Sequence, residues 1–351
     1  VYFSGQVNPI VQFGADLDFA DNNSLGATGT AKTHQGTAYT RVSSAFINFK
    51  FMPEVQLMAG LMRDPVSRLS NTDRYTYVIP TGYGYAFNDG TDIGTWTDPF
   101  TPIALGNDIQ NENKDAGITL WGNVADTMLK YYLFAGNGAY DYQAGLNGKS
   151  NLKYGFRVEF TPTMLGYQNT SGYSNQDTYL GAMNNLTIGL GYETQKVDCS
   201  GVSNTSDLYQ FCTGITSFTP KELDLDANWE QKFGSYVPQV QMGYIDKSDL
   251  GNIGYGTVKS RGYYLQLAGL YDQVVGIGKP GLAFRWENAR IKNFGPGTEK
   301  IDRYGIFANY YISGEAARVS FGADVINYNN YLQTYGYKDH TDWTLALQTE
   351  F

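Results

Sequence analysis

Alternate residues along this chain belong to two different chemistries. Over residues 152–160, Leu152, Tyr154, Phe156, Val158 and Phe160 are apolar, while Lys153, Gly155, Arg157 and Glu159 between them are charged or small. Residues two apart share one face of a β-strand, so such a stretch carries bulk apolar surface on one side and charge on the other. The pattern recurs. Leu223, Leu225, Ala227 and Trp229 alternate with Glu222, Asp224, Asp226 and Asn228, and Leu282, Phe284 and Trp286 alternate with Ala283, Arg285 and Glu287. Fourteen segments read this way: 1–20, 37–51, 55–63, 115–123, 128–136, 152–160, 186–195, 222–231, 237–246, 260–271, 281–290, 301–312, 317–327 and 341–351. None reads as an amphipathic helix.

This alternation leaves few folds open. Two packed sheets in water would need an apolar core, yet the second face carries Lys153, Arg157, Glu159, Asp224, Asp226, Arg285, Glu287, Arg303 and Arg318, and a dry core does not accept so many ionisable groups. In a membrane the same alternation has a cause. Without water in the hydrocarbon every backbone amide must pair, so a spanning sheet closes on itself, apolar face to lipid and polar face to an aqueous interior. The expected fold is all-β, a transmembrane antiparallel up-and-down β-barrel occupying residues 1–351 as one domain, with fourteen strands counted and sixteen possible if a hairpin lies in "YTYVIPTGYGYAF" or "GYSNQDTYLGAMNNL".

Composition removes the competing classes. The net charge of −9, without a Lys/Arg cluster, argues against a nucleic-acid partner. No run approaches the ~18 apolar residues of a membrane helix, and the mean hydropathy is −0.36. Residues 1–3 already sit in strand pattern, so no cleavable leader is expected. Tyr131, Tyr132, Trp229, Tyr244, Trp286, Tyr310 and Tyr311 lie near segment ends, where aromatic girdles meet the two membrane interfaces.

The connections alternate in length. Those near 52–54, 124–127, 232–236 and 313–316 are short; 64–114 and 196–221 are long and polar. Short turns at one rim and long loops at the other again describe an outer-membrane barrel, with long loops extracellular and both termini periplasmic. Residues 64–114 are too many for an ordinary connection and carry Tyr75, Tyr77, Tyr83, Tyr85, Phe87, Trp96 and Phe100. They are expected to fold inward as a constriction loop, bringing Arg63, Arg68 and Arg74 to the pore. The other inward charges are Lys130, Lys153, Arg157, Arg285, Arg303 and Arg318 against Glu159, Glu222, Asp224, Asp226, Glu230, Glu287 and Asp324. Facing each other across the opening, they would set up a transverse field.

Catalysis and cofactors find little support. His34 and His340 are the two histidines; both fall in expected loops, and neither sits in a nucleophile elbow or at metal-ligand spacing. No metal and no cofactor is expected. Cys199 and Cys212 share one loop and read as a disulfide if that loop faces an oxidising compartment.

The stretches "FINFKFMPEVQLMAGLMRDPVSRLSNTDR", "DAGITLWGNVADTMLKYYLFAGNGAYD", "YGFRVEFTP", "RGYYLQLAGLY", "RYGIFANYYISGEAARVSFGADVINY" and "DWTLALQTEF" together resemble the phosphate-selective porin O and P superfamily. The resemblance implies a Gram-negative outer-membrane porin and a homotrimer, in contact with outer-membrane lipid and lipopolysaccharide. Trp343, Leu345, Leu347 and Phe351 resemble the terminal signal read by the barrel assembly machinery, with Thr349 departing from the usual aromatic. Phosphate-selective members carry an arginine ladder and a lysine cluster, and no lysine cluster stands here. A general aqueous pore, an oxyanion-selective channel and a plugged structural barrel therefore all remain open.

Overall fold

The computed structural model of the protein describes residues 2–20, 39–81, 114–137, 151–201, 211–293, 295–329 and 338–349. Among these, fifteen strands form one large sheet whose order follows the chain. They are β1 (Tyr2–Gln6), β2 (Val11–Ala20), β3 (Tyr39–Met52), β4 (Val55–Arg63), β5 (Lys114–Val124), β6 (Leu129–Gly136), β7 (Lys153–Phe160) and β8 (Asn185–Thr194). There follow β9 (Lys221–Glu230), β10 (Tyr236–Ser248), β11 (Lys259–Tyr271), β12 (Lys279–Lys292), β13 (Thr298–Ser313), β14 (Ala317–Tyr328) and β15 (His340–Thr349). Every neighbouring pair is antiparallel; β12 and β13, for example, pair without a break from Lys279↔Tyr311 to Lys292↔Thr298. No helix among the described residues is long and apolar enough to cross a membrane. The architecture is an antiparallel up-and-down β-barrel of the membrane-spanning class.

Its burial is inverted relative to a protein that folds in water. Leu282, Ile306, Trp343, Leu345 and Leu347 are all more than 60% exposed on the outer face, while Arg157, Arg285 and Arg303 inside are at most 1% exposed. Charged groups are almost never so buried unless paired, and an outer face of large apolar groups suits hydrocarbon.

The count exceeds the expected fourteen because segment 1–20 is two strands. Asn8 Oδ1 accepts the Ile10 and Val11 amides at 2.9 and 2.8 Å, folding the chain back before Pro9 can extend the ladder. Tyr2 thereby pairs with Asp16, part-way up the wall. β15 runs from the long-loop rim to the short-turn rim. No hairpin hides in "GYSNQDTYLGAMNNL": that stretch holds the two-residue strand Asn175–Gln176, which belongs to a different, small sheet. Of "YTYVIPTGYGYAF", residues 75–81 hold no strand, and the rest lies outside the described residues.

The short turns at 53–54, 125–128, 231–235, 272–278 and 314–316 share one rim. In the turn 125–128, Ala125, Asp126 and Thr127 take φ of 51°, 54° and 67° and Met128 N donates to Ala125 O. The alternation in length fails at two places: 161–184 leaves the short-turn rim yet is long, and 293–297 on the opposite rim is short. Of the expected girdle residues, Tyr132 and Tyr311 point inward and are buried, since strand alternation sends adjacent tyrosines to opposite faces.

Candidate functional site

Beyond Arg63 the chain turns into the barrel. Ser67 caps a single helical turn, Arg68–Asn71, through a reciprocal bond with Ser70. The segment then crosses the interior from β4 to the opposite wall. There Val78 O accepts from Asn309 at 2.9 Å, Tyr77 O from Arg318 at 2.5 Å, and Tyr75 O from Gln348 at 2.9 Å. Thr81 reaches Asp324, Arg285 and Arg303 at 3.1, 2.5 and 3.3 Å. Val78 and Ile79 pack on Ala283 and Phe307. Residues 64–81 thus form a strap across the barrel. The rest of the expected constriction loop, including Tyr83, Tyr85, Phe87, Trp96 and Phe100, lies outside the described residues, as does His34.

A second segment meets the strap from the other mouth. Residues 161–184 climb the inner wall. Lys130 donates to Gly172 O at 2.8 Å, Tyr132 to Tyr173 O at 2.7 Å, and Asn123 to Ser171 O at 2.9 Å. Tyr173 wedges edge-on against Trp121 and Tyr132, with Met58 and Met62 beside them. Glu159 accepts from Asn175 at 2.7 Å and from Asn169 at 3.2 Å; Glu230 accepts from Thr178, Tyr179 N and Gly181 N at 2.8–2.9 Å. At the centre the two segments pair in parallel, Thr72 with Asn175 and Asp73 with Gln176. Asp177 accepts from Val78 N at 2.8 Å, and Arg68 donates to Gln176 O at 2.5 Å.

Most of the sequence-predicted charges bond one of the two segments as anchors, among them Arg157, Lys153, Arg285, Arg303, Arg318, Glu159, Glu230 and Lys130. Arg157 bonds Asp226 through two nitrogens at 2.7 and 2.9 Å and Glu159 at 2.9 Å, with Asp224 at 3.4 Å. Arg68 bonds Gln241 at 2.9 Å, and its amide reaches Asp226 at 3.1 Å. Lys153 pairs with Asp64, with Asp115 at 3.4 Å and Glu193 at 3.7 Å. Glu222 holds Lys247 at 3.0 Å. Arg285 and Arg303 share Asp324 at 2.5 and 3.0 Å, with Glu287 at 3.8 Å from each, and Arg318 pairs with Glu315 at 3.2 Å. The expected field of opposed charges across open water is therefore corrected: basic and acidic groups meet side by side, because a buried charge without a partner is too costly.

In the strap, burial pushes the Asp64 carboxyl well above the usual range, against the pull of Lys153. Burial opposes the Arg68 charge, yet Tyr179 and Asp226 hold its pKa above the ordinary value. Water reaches the junction at Asp73, whose side chain is 43% exposed and lies 3.7 Å from Arg63. Arg74 starts a 3-10 turn, Arg74–Thr76, and its side chain lies outside the described residues. His340 stands 3.5 Å from Asp342 on β15. Trp343, Leu345 and Leu347 face outward there, and Phe351 is outside the described residues.

Cys199 and Cys212 are joined in a disulfide, Cα atoms 5.6 Å apart. It ties residues 197–201 to 211–218, a flap whose Val197, Phe211 and Phe218 pack with Leu250 and Val258 on the inward Ala289, Ile291, Ile301, Ile326 and Tyr328. Among the described residues no group of His, Cys, Asp and Glu has the arrangement to hold a metal ion.

Sequence reading offered 172–186 only as a place for a further hairpin, and gave no role to the inward course of 161–184 or to Asp64, Asp115, Asp177 and Glu193. A signal existed: "YQNTSGYSNQ" at 167–176 is ten residues without a charge or an aliphatic side chain, unlike the compact turns at the same rim.

No protein-family model and no curated protein sequence matches the chain. Solved structures do. OmpF of Salmonella typhi, in complex with daunomycin, aligns over 99% of this chain and 86% of its own at 13% identity and a TM-score of 0.53. The chain has a porin fold. An anion-selective porin from Comamonas acidovorans aligns over 99% and 84% at 13% identity and a TM-score of 0.52. The outer-membrane channel DcaP of Acinetobacter baumannii aligns over 99% and 82% at 11% identity and a TM-score of 0.51.

Proposed function

We propose that this protein is an outer-membrane porin, a passive diffusion channel for small hydrophilic solutes and ions, acting without a cofactor and without catalysis. The observation that carries the reading is the strap: a membrane-type barrel of this strand number is too wide to sieve small solutes unless something crosses it, and residues 64–81 do so while water still reaches Asp73. In this reading the short turns are periplasmic, the long loops face outward, and the chain assembles as a homotrimer among lipid and lipopolysaccharide.

Charge preference in this reading is weak. Phosphate selectivity, the narrower property of the O and P superfamily, calls for arginines free to meet an anion, whereas Arg157, Arg285, Arg303 and Arg318 each lie against carboxylates. One observation favours a second reading, a barrel plugged for structural use: the wall charges are buried to 0–5% exposure under the two segments. Swelling of liposomes that contain the folded protein separates the two. Swelling in small sugars that fades as sugar size grows supports the porin; impermeability to all of them supports the plug.

A further inference from the structure

We propose that residues 161–184 form a second constriction element, which narrows the channel from the short-turn mouth by pairing with the strap. This inference rests on the channel reading and adds a second inward segment to it.

Three observations carry it. The first is direction. The strap leaves the long-loop rim after Arg63, while 161–184 leaves the opposite rim after Phe160, and the two meet at Thr72↔Asn175 and Asp73↔Gln176. A junction built from both mouths lies deep in the barrel. The second is anchoring. Glu230, Glu159, Lys130 and Tyr132, from three strands, all bond the segment, and Asp177 ties it to the strap through Val78 N. Buried carboxylates that accept several amide bonds hold a chain in one place, so the element is a fixed part of the channel wall. The third is surface. Ser171 is exposed, Ser174 and Gln176 are partly exposed, and Asp73 beside them is open to water, whereas the charged anchors are covered. Solutes passing the junction therefore meet tyrosine, serine, threonine and amide groups of the "YQNTSGYSNQ" stretch. Such a surface offers donors and acceptors without net charge, which suits neutral, hydrogen-bonding solutes.

The native cysteines are both in the disulfide, so a single introduced cysteine is a unique reactive thiol. Ser174→Cys and Ser171→Cys, each folded and inserted in a planar bilayer, would be treated with a bulky neutral methanethiosulfonate reagent, with labelling measured by mass. The expected result is a fall in single-channel current of two-fold or more at Ser174, a smaller fall at Ser171 nearer the mouth, and recovery on reduction. Complete labelling with unchanged current, or failure of both sites to label, would overturn the proposal while leaving the channel reading intact. Silence of the unmodified protein in the same bilayer would instead overturn the channel reading, and this inference with it.

Discussion

Arg157 illustrates what alternation reveals about a residue and what it hides. Its place on the inward face follows from Phe156 and Val158 on either side, but nothing local tells that Asp226, from β9, and the strap will enclose it. Truncating Asp226 to Ala leaves the guanidinium short of its bidentate partner. Chemical unfolding from lipid should show a loss of about 3 kcal/mol, at the lower end for a broken buried pair because Glu159 and Asp224 remain. Replacing both partners, Arg157→Met with Asp226→Leu, should lose less than the single change; an equal or larger loss would show that the pair itself stabilises the fold. Asp272 on the short-turn rim makes the opposite case. Hydrogen bonds from Lys232 and from Lys279, the latter at 2.5 Å, hold its carboxyl below the ordinary carboxylate range. A depressed pKa adds stability above the unfolded value near 4 and loses it as pH falls through the folded value. Asp272→Asn should therefore be less stable than the parent at pH 7, by up to about 1 kcal/mol for a pair at the surface, and the gap should close once the pH has fallen through the lowered folded value. A gap that persists there would mean that the hydrogen bonds, and not the charge, matter.

Elements were legible where period 2 ran unbroken, as in β12, whose Leu282, Phe284 and Trp286 face out. Leu282→Arg should cost about 2–4 kcal/mol if that position lies at mid-membrane, read by unfolding from bilayers; a cost near zero would place Leu282 outside the hydrocarbon. Legibility ended where local turn chemistry or distant partners decided. Asn8 and Pro9 divided β1 from β2 against the alternation, and 161–184 became an inward element only because Glu230, Lys130 and Tyr132, each more than 40 residues away along the chain, anchor it. The flap shows the same limit. Its cysteines were visible, but the apolar switch at the inward Ile291, Ile301 and Ile326 makes sense only once Phe211 and Phe218 cover them. Closing the 13-residue separation stabilises the flap by roughly 3 kcal/mol in the chain-entropy model. Cys199→Ser with Cys212→Ser should expose the flap to limited proteolysis while the barrel's circular dichroism stays unchanged; equal protease resistance would assign the flap's order to its apolar packing alone.

For the whole molecule the inversion of burial was legible from the start, since no soluble core accepts charges at every second position of so many strands. The long 64–114 segment was expected inside; that 161–184 enters as well was not legible, because a lumen can be empty or packed with the same wall sequence. The structure sets a strap and a second segment across that lumen, leaves Asp73 open to water, and buries the wall charges as anchors. Those features together support the proposed reading, a narrow channel with weak charge preference. Single-channel recording of the folded, unmodified protein in a planar bilayer under a salt gradient tests this most directly. The expected result is discrete ohmic steps of small unit size with a reversal potential near zero; the absence of steps from protein shown by circular dichroism to be folded would contradict it.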